Sequence, residues 1–162
     1  MRDAFGGLIN IAIIIVFLVI VSGYMAYNVS YTKAFKVKNK VISTIEEFEG
    51  KCDFSKGPDG DKCVKIIDTF MRQIGYNPVS RSELQEHAKF DKPEGCNESP
   101  VYCQTGYCTM KCQYNTSIAN KYYYYRVVTY VTLDIPIINK VMSGMTVFQV
   151  TGDTMRIRKP TG

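Results

Sequence analysis

The chain has 162 residues, of which 46% are hydrophobic and 22% charged, and its formal net charge is only +5. The basic residues are scattered among acidic ones and form no stripe, which argues against a nucleic-acid-binding protein. Beside one membrane span, the length leaves about 130 residues, enough for a single small domain.

The first element is the apolar stretch Leu8–Tyr27, which is long enough to cross a bilayer. No charged residue occurs between Asp3 and Lys33, and a helix of about 20 residues is about 30 Å long, the thickness of the hydrocarbon layer. We therefore predict a membrane span, with lipid as its partner. A cleaved secretory signal is the alternative, because Val21–Gly23 offers small residues for cleavage before Tyr24.

After the span the pattern becomes that of an amphipathic helix. Apolar residues recur at spacings of four, four and three: Val37, Val41, Ile45 and Phe48. This spacing places them on one face of a helix. Gly50 stands where such a helix would end in a left-handed cap. We predict one helix of about 60 Å from Leu8 to Glu49.

The middle of the chain is predicted to mix loops, short helices and short strands. Cys52–Cys63 is a turn-rich loop. Asp61 can cap a helix over Lys62–Ile74, and Ser80–Ala88 opens with the spacing of a capping box, which predicts a second short helix. The segment Val101–Asn115 is predicted to form short strands.

The clearest strand is Tyr122–Ile135. Its odd-numbered residues form one face, which we predict to be the core face packed on the amphipathic helix. Pro136 ends the strand. A second strand follows Gly144 and changes parity along its length, so we expect a bulge or tight turn at Thr151–Asp153. The predicted fold class is α+β: a long N-terminal helix, a small antiparallel sheet packed on it, and a disulfide-rich insertion.

All six cysteines lie in the first two thirds of the head: Cys52, Cys63, Cys96, Cys103, Cys108 and Cys112. An even number of cysteines in a small domain is typical of an exported, disulfide-stapled module, and six cysteines allow 15 connectivities. Zinc is the alternative, because thiolates at short spacings are its structural ligands. The cysteines contain no Cys-x-x-Cys pair, so disulfides are favoured and no metal is expected.

Two signals conflict over the orientation in the membrane. Four lysines follow the span: Lys33, Lys36, Lys38 and Lys40. The positive-inside rule would place the head in the cytoplasm, whereas disulfides would place it outside. We favour the outside, because the lysines are also explained as the solvated face of a helix. The prediction is a single-pass protein of the cell membrane, with residues 1–30 as lead and transmembrane helix and residues 31–162 as an extracytoplasmic head.

No group of residues forms a recognisable catalytic motif. His87 is the only histidine, and no pattern pairs it with a serine or cysteine nucleophile. Asp134 and Asp153 are better explained by strand-end and turn chemistry than as an acid–base pair. Tyr122–Tyr125 would suit stacking with a partner or a carbohydrate, but tyrosine is also simply a good strand residue. We therefore expect neither enzyme activity nor a cofactor.

An apolar N-terminal helix that runs into an amphipathic one, with a small antiparallel sheet laid on it, is similar to the plan of type IV pilin-like proteins. The C-terminal segment YYYYRVVTYVTLDIPIINKVMSGMTVFQVTGDTMRI resembles the ending of TadE-like pseudopilins of tight-adherence pilus systems. In that ending an alternating strand meets a proline, a short turn follows, and a Thr-rich strand ends in a basic residue. The resemblance covers Leu8–Tyr27 and Tyr122–Arg158. It implies a minor pilin or pseudopilin that packs with other pilin-like subunits in a pilus or secretion apparatus.

The sequence departs from that family at the processing site. Prepilin-type processing cuts after a glycine, and the mature chain usually has a glutamate at its fifth position. A cut after Gly7 would put Ala12 there, and a cut after Gly6 would put Ile11 there. Asp3 is the nearest acidic residue, and in an uncut chain it would meet the amino terminus of a neighbour.

The candidate assembly residues are therefore Asp3 and three residues of the span, Asn10, Gly23 and Ala26. An amide such as that of Asn10 can bond to a neighbouring helix, and small residues three apart allow close approach. The alternative function is a membrane-anchored, disulfide-rich ectodomain that binds an external ligand or partner without polymerising.

Overall fold

The computed structural model describes residues 2–57, 59–80, 84, 96, 100–113, 122–132 and 147–158; for residues 2–6, 131, 132 and 147 it describes the backbone alone. Two helices and five strands lie in these ranges: α1 (Arg2–Glu47), α2 (Lys62–Gln73), β1 (Val101–Gln104), β2 (Tyr107–Gln113), β3 (Tyr122–Thr132), β4 (Val147–Asp153) and β5 (Ile157–Arg158). The fold is α+β, as the sequence predicts: a long helix carries a small antiparallel sheet.

Helix α1 is continuous over 46 residues and about 69 Å long. It begins earlier than the sequence predicts and ends two residues sooner, at Glu47. The predicted cap at Gly50 is confirmed. Glu49 and Gly50 both adopt positive φ, at 51° and 71°, and the amide of Gly50 donates a hydrogen bond of 2.8 Å to the carbonyl of Ile45. Glycine is the residue that adopts this conformation without steric cost.

The sheet has the strand order β1-β2-β3-β4, with every neighbouring pair antiparallel, and β5 also pairs with β3. The sequence predicts that the residues facing one side of the sheet change from even to odd numbers near Thr151–Asp153. The structure shows this as a one-residue shift in the pairing register along β3: Arg126 pairs with Asp153, whereas Tyr123 pairs with Ile157. The shift lies between Asp153 and Ile157, slightly after the predicted position. Thr154 bridges the interruption, because its amide donates to the carbonyl of Tyr125 and its hydroxyl accepts the amide of Tyr125.

The predicted core face of β3 is confirmed. Its buried residues are Tyr123, Tyr125, Val127 and Thr129. They pack against the predicted apolar face of α1, where Val37, Val41 and Ile45 are fully buried and Phe48 is half-buried. Because residues of a strand alternate between its two faces and these helix residues share one face, both periodicities in the sequence converge on one core.

The opposite face of β3 is also partly buried, which the sequence does not predict. Val128 and Tyr130 are covered in a second apolar cluster that contains Val79 and Leu84. Val79 and Leu84 belong to the segment after α2, and the sequence of that segment shows no pattern that predicts packing on β3. Of the predicted helix Ser80–Ala88, the structure describes only Ser80 and Leu84, and Leu84 is helical. The end of the predicted strand Tyr122–Ile135 and the turn after Pro136 lie outside the described residues.

Helix α2 runs back along the head towards the start of the amphipathic half of α1. Its first turn is tied to the loop after α1 by the disulfide between Cys52 and Cys63. At its other end, the ammonium group of Lys33 donates a hydrogen bond of 2.9 Å to the carbonyl of Gly75. The cap predicted for α2 is confirmed, since the carboxylate of Asp61 accepts the amides of Cys63 and Val64.

Candidate assembly surface

The N-terminal half of α1 is covered by no other described part of the chain. Its large apolar side chains from Leu8 to Ile20 are each 39–65% exposed. Within the described part of the chain, α1 supplies one helix that is long and apolar enough to cross a membrane, and its most apolar window is entirely unburied. Soluble proteins rarely expose so large a continuous apolar surface, so this half of the helix is suited to lipid or to other helices around it.

The side chains of α1 become buried only where the helix reaches the head. Ala34 is the first fully buried residue, and Val37, Val41, Thr44 and Ile45 follow. The same helix therefore lies in two environments, one apolar all round and one that presents a single face to the sheet.

The structure brings only some of the candidate assembly residues together. At about 100° per residue, Gly23 and Ala26 lie about 60° apart, on the helix face that continues upward into Ala34 and Val37. Asn10, which is exposed, lies on the nearly opposite face by the same geometry. Asp3 is in the first turn of α1, and its side chain falls outside what is described.

Phe148 of β4 contacts Tyr27 at the end of the predicted span. Their ring centroids are 5.6 Å apart with an interplanar angle of 77°, an edge-to-face contact. The sequence gives no signal for this contact, because neither residue belongs to a pattern that predicts the other. It places the lower end of the sheet against the last turn of the span.

Two tyrosines of β3 hold the sheet to the helix. Tyr125 donates a hydrogen bond of 3.1 Å to the carbonyl of Gly50, and Tyr123 donates one of 3.4 Å to the carbonyl of Glu49. Burial raises the pKa of Tyr125 to about 12 and also raises that of Tyr123. Tyr122 is exposed and Tyr124 half-buried. Of the four tyrosines considered for stacking with a partner, two are therefore committed to the core.

The six cysteines form three disulfides, which overturns the zinc alternative. The pairs are Cys52–Cys63, Cys96–Cys112 and Cys103–Cys108, and no cysteine is free. A sulfur in a disulfide cannot serve as a thiolate ligand. The last pair joins directly opposed residues of β1 and β2, and the second pair fixes Cys96 to β2.

Asp61 lies close to the sulfur atoms of Cys52 and Cys63, so that the three residues have the spacing of metal ligands. The sulfurs are bonded to each other, however, and both carboxylate oxygens accept backbone amides, at 3.0 Å from Asp53 and 2.8 Å from Cys63. This cluster is therefore a loop and helix-cap structure rather than a metal site.

Two of the four lysines after the predicted span, Lys33 and Lys38, have local partners. Lys33 binds the carbonyl of Gly75, and the ammonium group of Lys38 lies 4.0 Å from the ring centroid of Phe35. These contacts give Lys33 and Lys38 a structural role within the head.

The remaining chemical candidates do not form a site among the described residues. Asp153 makes a bidentate ion pair with Arg126, with both distances 2.7 Å. These two residues are also directly paired across β3 and β4, so the carboxylate serves the sheet. His87 and Asp134 lie outside the described ranges.

Comparisons with protein families, with curated proteins and with solved structures find no match to the chain.

Proposed function

We propose that the protein is a structural subunit of pilin-like design: a minor pilin or pseudopilin, anchored in the membrane by α1, with its head outside the cytoplasm. In this role it assembles with like subunits in a pilus or secretion apparatus. The observation that carries the proposal is the division of α1. Its N-terminal half exposes every large apolar side chain from Leu8 to Ile20, while one face of its C-terminal half is buried under the sheet.

A helix of this kind suits two surroundings in turn. Lipid tails and a bundle of apolar helices are similarly apolar, so moving from one to the other costs little hydrophobic free energy. Packing and polar contacts then decide whether helices associate. The candidates for these contacts lie on two different faces, Asn10 on one and Gly23 with Ala26 on the other. A subunit that repeats along a filament needs more than one contact face, because such interfaces are heterologous.

The three disulfides support the orientation. They persist in oxidising compartments and are rare in the cytosol. One ties the loop after α1 to the first turn of α2, and the other two join Cys96 and β1 to β2. Lys33 and Lys38 are engaged within the head, so an outside location leaves neither of these cations unexplained.

The second candidate is a membrane-anchored ectodomain that binds an external partner and never polymerises. One observation favours it: Gly23 and Ala26 lie on the face of α1 that runs directly beneath the head, and Tyr27 in the same turn already contacts Phe148. A neighbouring helix that approaches this face has to fit below the sheet.

Cysteine cross-linking of the span separates the two candidates. All six native cysteines are paired, so an added cysteine is the only free thiol. Single cysteines at Ile13, Ile14, Ile15 and Val16 sample the whole circumference of the helix. Because a heterologous interface brings different positions together, a flexible bis-maleimide linker joins the added cysteines instead of direct oxidation. We expect covalent dimers in the native membrane at one or two of these positions, and none for the same variants diluted in detergent. If no position cross-links in the native membrane, assembly through α1 is excluded and the monomeric ectodomain stands.

A further inference from the structure

The uncharged part of α1 matches a complete bilayer, including both headgroup layers. It extends from Ala4 to Thr32, and as a helix it is about 44 Å long. This length equals the thickness of the hydrocarbon and headgroup layers together, which is about 40–45 Å. If the proposed span is correct, Tyr27 lies at the outer boundary between hydrocarbon and headgroups, and Tyr31 lies in the headgroup layer. Tyrosine is enriched at this depth, because its ring is apolar and its hydroxyl is polar. The two rings also stack on each other, 6.0 Å apart.

The sheet extends down to the same level. Strand β3 runs antiparallel to α1, with Tyr123 close to Glu49 and the hydroxyl of Thr129 within 3.2 Å of the carbonyl of Ala34. Phe148 pairs with Val131, two residues beyond Thr129. Its contact with Tyr27 therefore lies about 9 Å below Lys33, the first charged residue after the span. Phe148 is 41% exposed despite this contact, so one side of its ring faces outward at the depth of the headgroups.

We propose that the head rests on the membrane surface, with Phe148, Tyr27 and Tyr31 inserted among the lipid headgroups as a single aromatic group. This inference rests on the proposed membrane span. A head carried on a stalk would leave a length of exposed helix between the bilayer and the first contact with the sheet. In this structure there is no such length, because the sheet meets α1 at the end of the span itself. The occupant of this surface is lipid, since the aromatic group is continuous with the lipid-facing helix.

The chain contains no tryptophan, so a single introduced tryptophan reports its own depth. The full-length Phe148→Trp variant is reconstituted into vesicles of phosphatidylcholine and phosphatidylglycerol that carry a spin label either near the headgroup or near the end of the acyl chain. We expect a blue-shifted emission, and quenching about threefold stronger with the shallow label than with the deep one, since the ring lies in the interfacial layer.

Met155→Trp is the matched control. Met155 is 77% exposed and lies beyond the far end of β4, about 20 Å further from the bilayer along the strand. Its tryptophan should be quenched by aqueous iodide and by neither lipid label. If Phe148→Trp behaves as Met155→Trp does, the head does not rest on the membrane and the proposal is overturned. Unchanged melting temperatures of both variants verify that they fold.

Tyr27→Trp separates failure of this inference from failure of the proposed span. The tryptophan at position 27 belongs to α1, so it lies at the membrane–water interface whether or not the head rests on the membrane. Shallow-label quenching of Tyr27→Trp without quenching of Phe148→Trp refutes the docked head alone. Absence of quenching in both refutes the span as well. Quenching of Phe148→Trp that disappears as the protein-to-lipid ratio rises identifies a second copy of the chain as the occupant and overturns the choice of lipid.

Discussion

Gly50 and Tyr123 fit together so closely that a side chain at position 50 would displace its neighbours. A Cβ atom at Gly50 would lie 2.7 Å from the hydroxyl oxygen of Tyr123. The carbonyl groups of Glu49 and Gly50 in turn accept hydrogen bonds from Tyr123 and Tyr125. The turn that ends α1 is therefore also the place where the sheet is attached to the helix.

Replacing Gly50 by alanine is expected to destabilise the head by about 1–3 kcal/mol. The alanine would be strained at the positive φ of this position, and its Cβ would clash with Tyr123. Chemical denaturation of the full chain in detergent measures the loss. Gly57→Ala is the control, since a Cβ there meets nothing within 4 Å and its φ is not left-handed. Combining Gly50→Ala with Tyr123→Phe removes the nearest clashing atom. The double variant should recover part of the loss, and no recovery would leave backbone strain as the whole cause.

The core between α1 and β3 gives the second prediction. Ile45 is fully buried against the sheet, so Ile45→Asp buries a carboxylate and should cost several kcal/mol, enough to unfold the head. Asn39→Asp adds the same charge on the exposed side of the same helix and should change the stability by about 0.5 kcal/mol or less. Equal melting temperatures for the two variants would contradict the packing of α1 on β3.

The three disulfides give the third prediction. Denatured protein from its native source should accept no maleimide mass tag before reduction and six tags after it, because all six cysteines are paired. Six tags without reductant would mean a reduced head, and would restore the cytoplasmic orientation that the lysines after the span favour.

Buried tyrosines make the stability of the head sensitive to alkaline pH. Burial raises the pKa of Tyr125 to about 12 and that of Tyr130 to about 12, whereas an unfolded tyrosine has a pKa of about 10. The folded state therefore favours the protonated hydroxyl. The resulting stability is fully present below about pH 10 and is lost as the pH rises towards about 12.

Stability measured from neutral pH to about pH 12 should fall in that upper window, and Tyr125→Phe should make the fall shallower, because phenylalanine cannot ionise. Tyr122→Phe is the control, since the ring of Tyr122 is exposed at the start of β3. If the two variants show the same pH dependence, ionisation of Tyr125 does not contribute to alkaline unfolding.

Much of the fold is readable from the sequence because its signals are local. The spacing of Val37, Val41 and Ile45 predicts the face of α1, and the alternation in β3 predicts the face that meets it. The cap residues Gly50 and Asp61 are recognisable by residue type alone.

What the sequence does not predict are contacts between segments that are distant along the chain. Nothing near Phe148 indicates Tyr27, and nothing near Val79 or Leu84 indicates that they cover the second face of β3. The disulfide connectivity is of the same kind, because it depends on which chain segments the completed fold brings together. Exposed apolar residues of the span are predictable individually, but their grouping into contact faces depends on helix geometry and on partners.

The last prediction concerns self-association of the span. Gly23 lies beside Ala26 on one face of α1, and a leucine at position 23 would keep a neighbouring helix at a distance. Asn10→Leu on the other face removes an amide that can contribute about 1 kcal/mol to an interhelical contact. Both variants should insert in the membrane as well as the wild type or better, because leucine is more apolar than either residue. Both should reduce the yield of covalent dimers from a cysteine at one of the cross-linking positions.

Met25→Leu and Ile9→Leu are the matched controls, because they introduce leucine one or two residues away while preserving the apolar character and approximate volume of the side chain. Neither should change the dimer yield. A loss confined to Gly23→Leu would identify the face beneath the head as the contact, and a loss confined to Asn10→Leu would identify the opposite face. A loss in both would mean that each helix meets neighbours on two sides, as a repeating assembly requires. Undiminished dimers in both variants would exclude these residues as the basis of association.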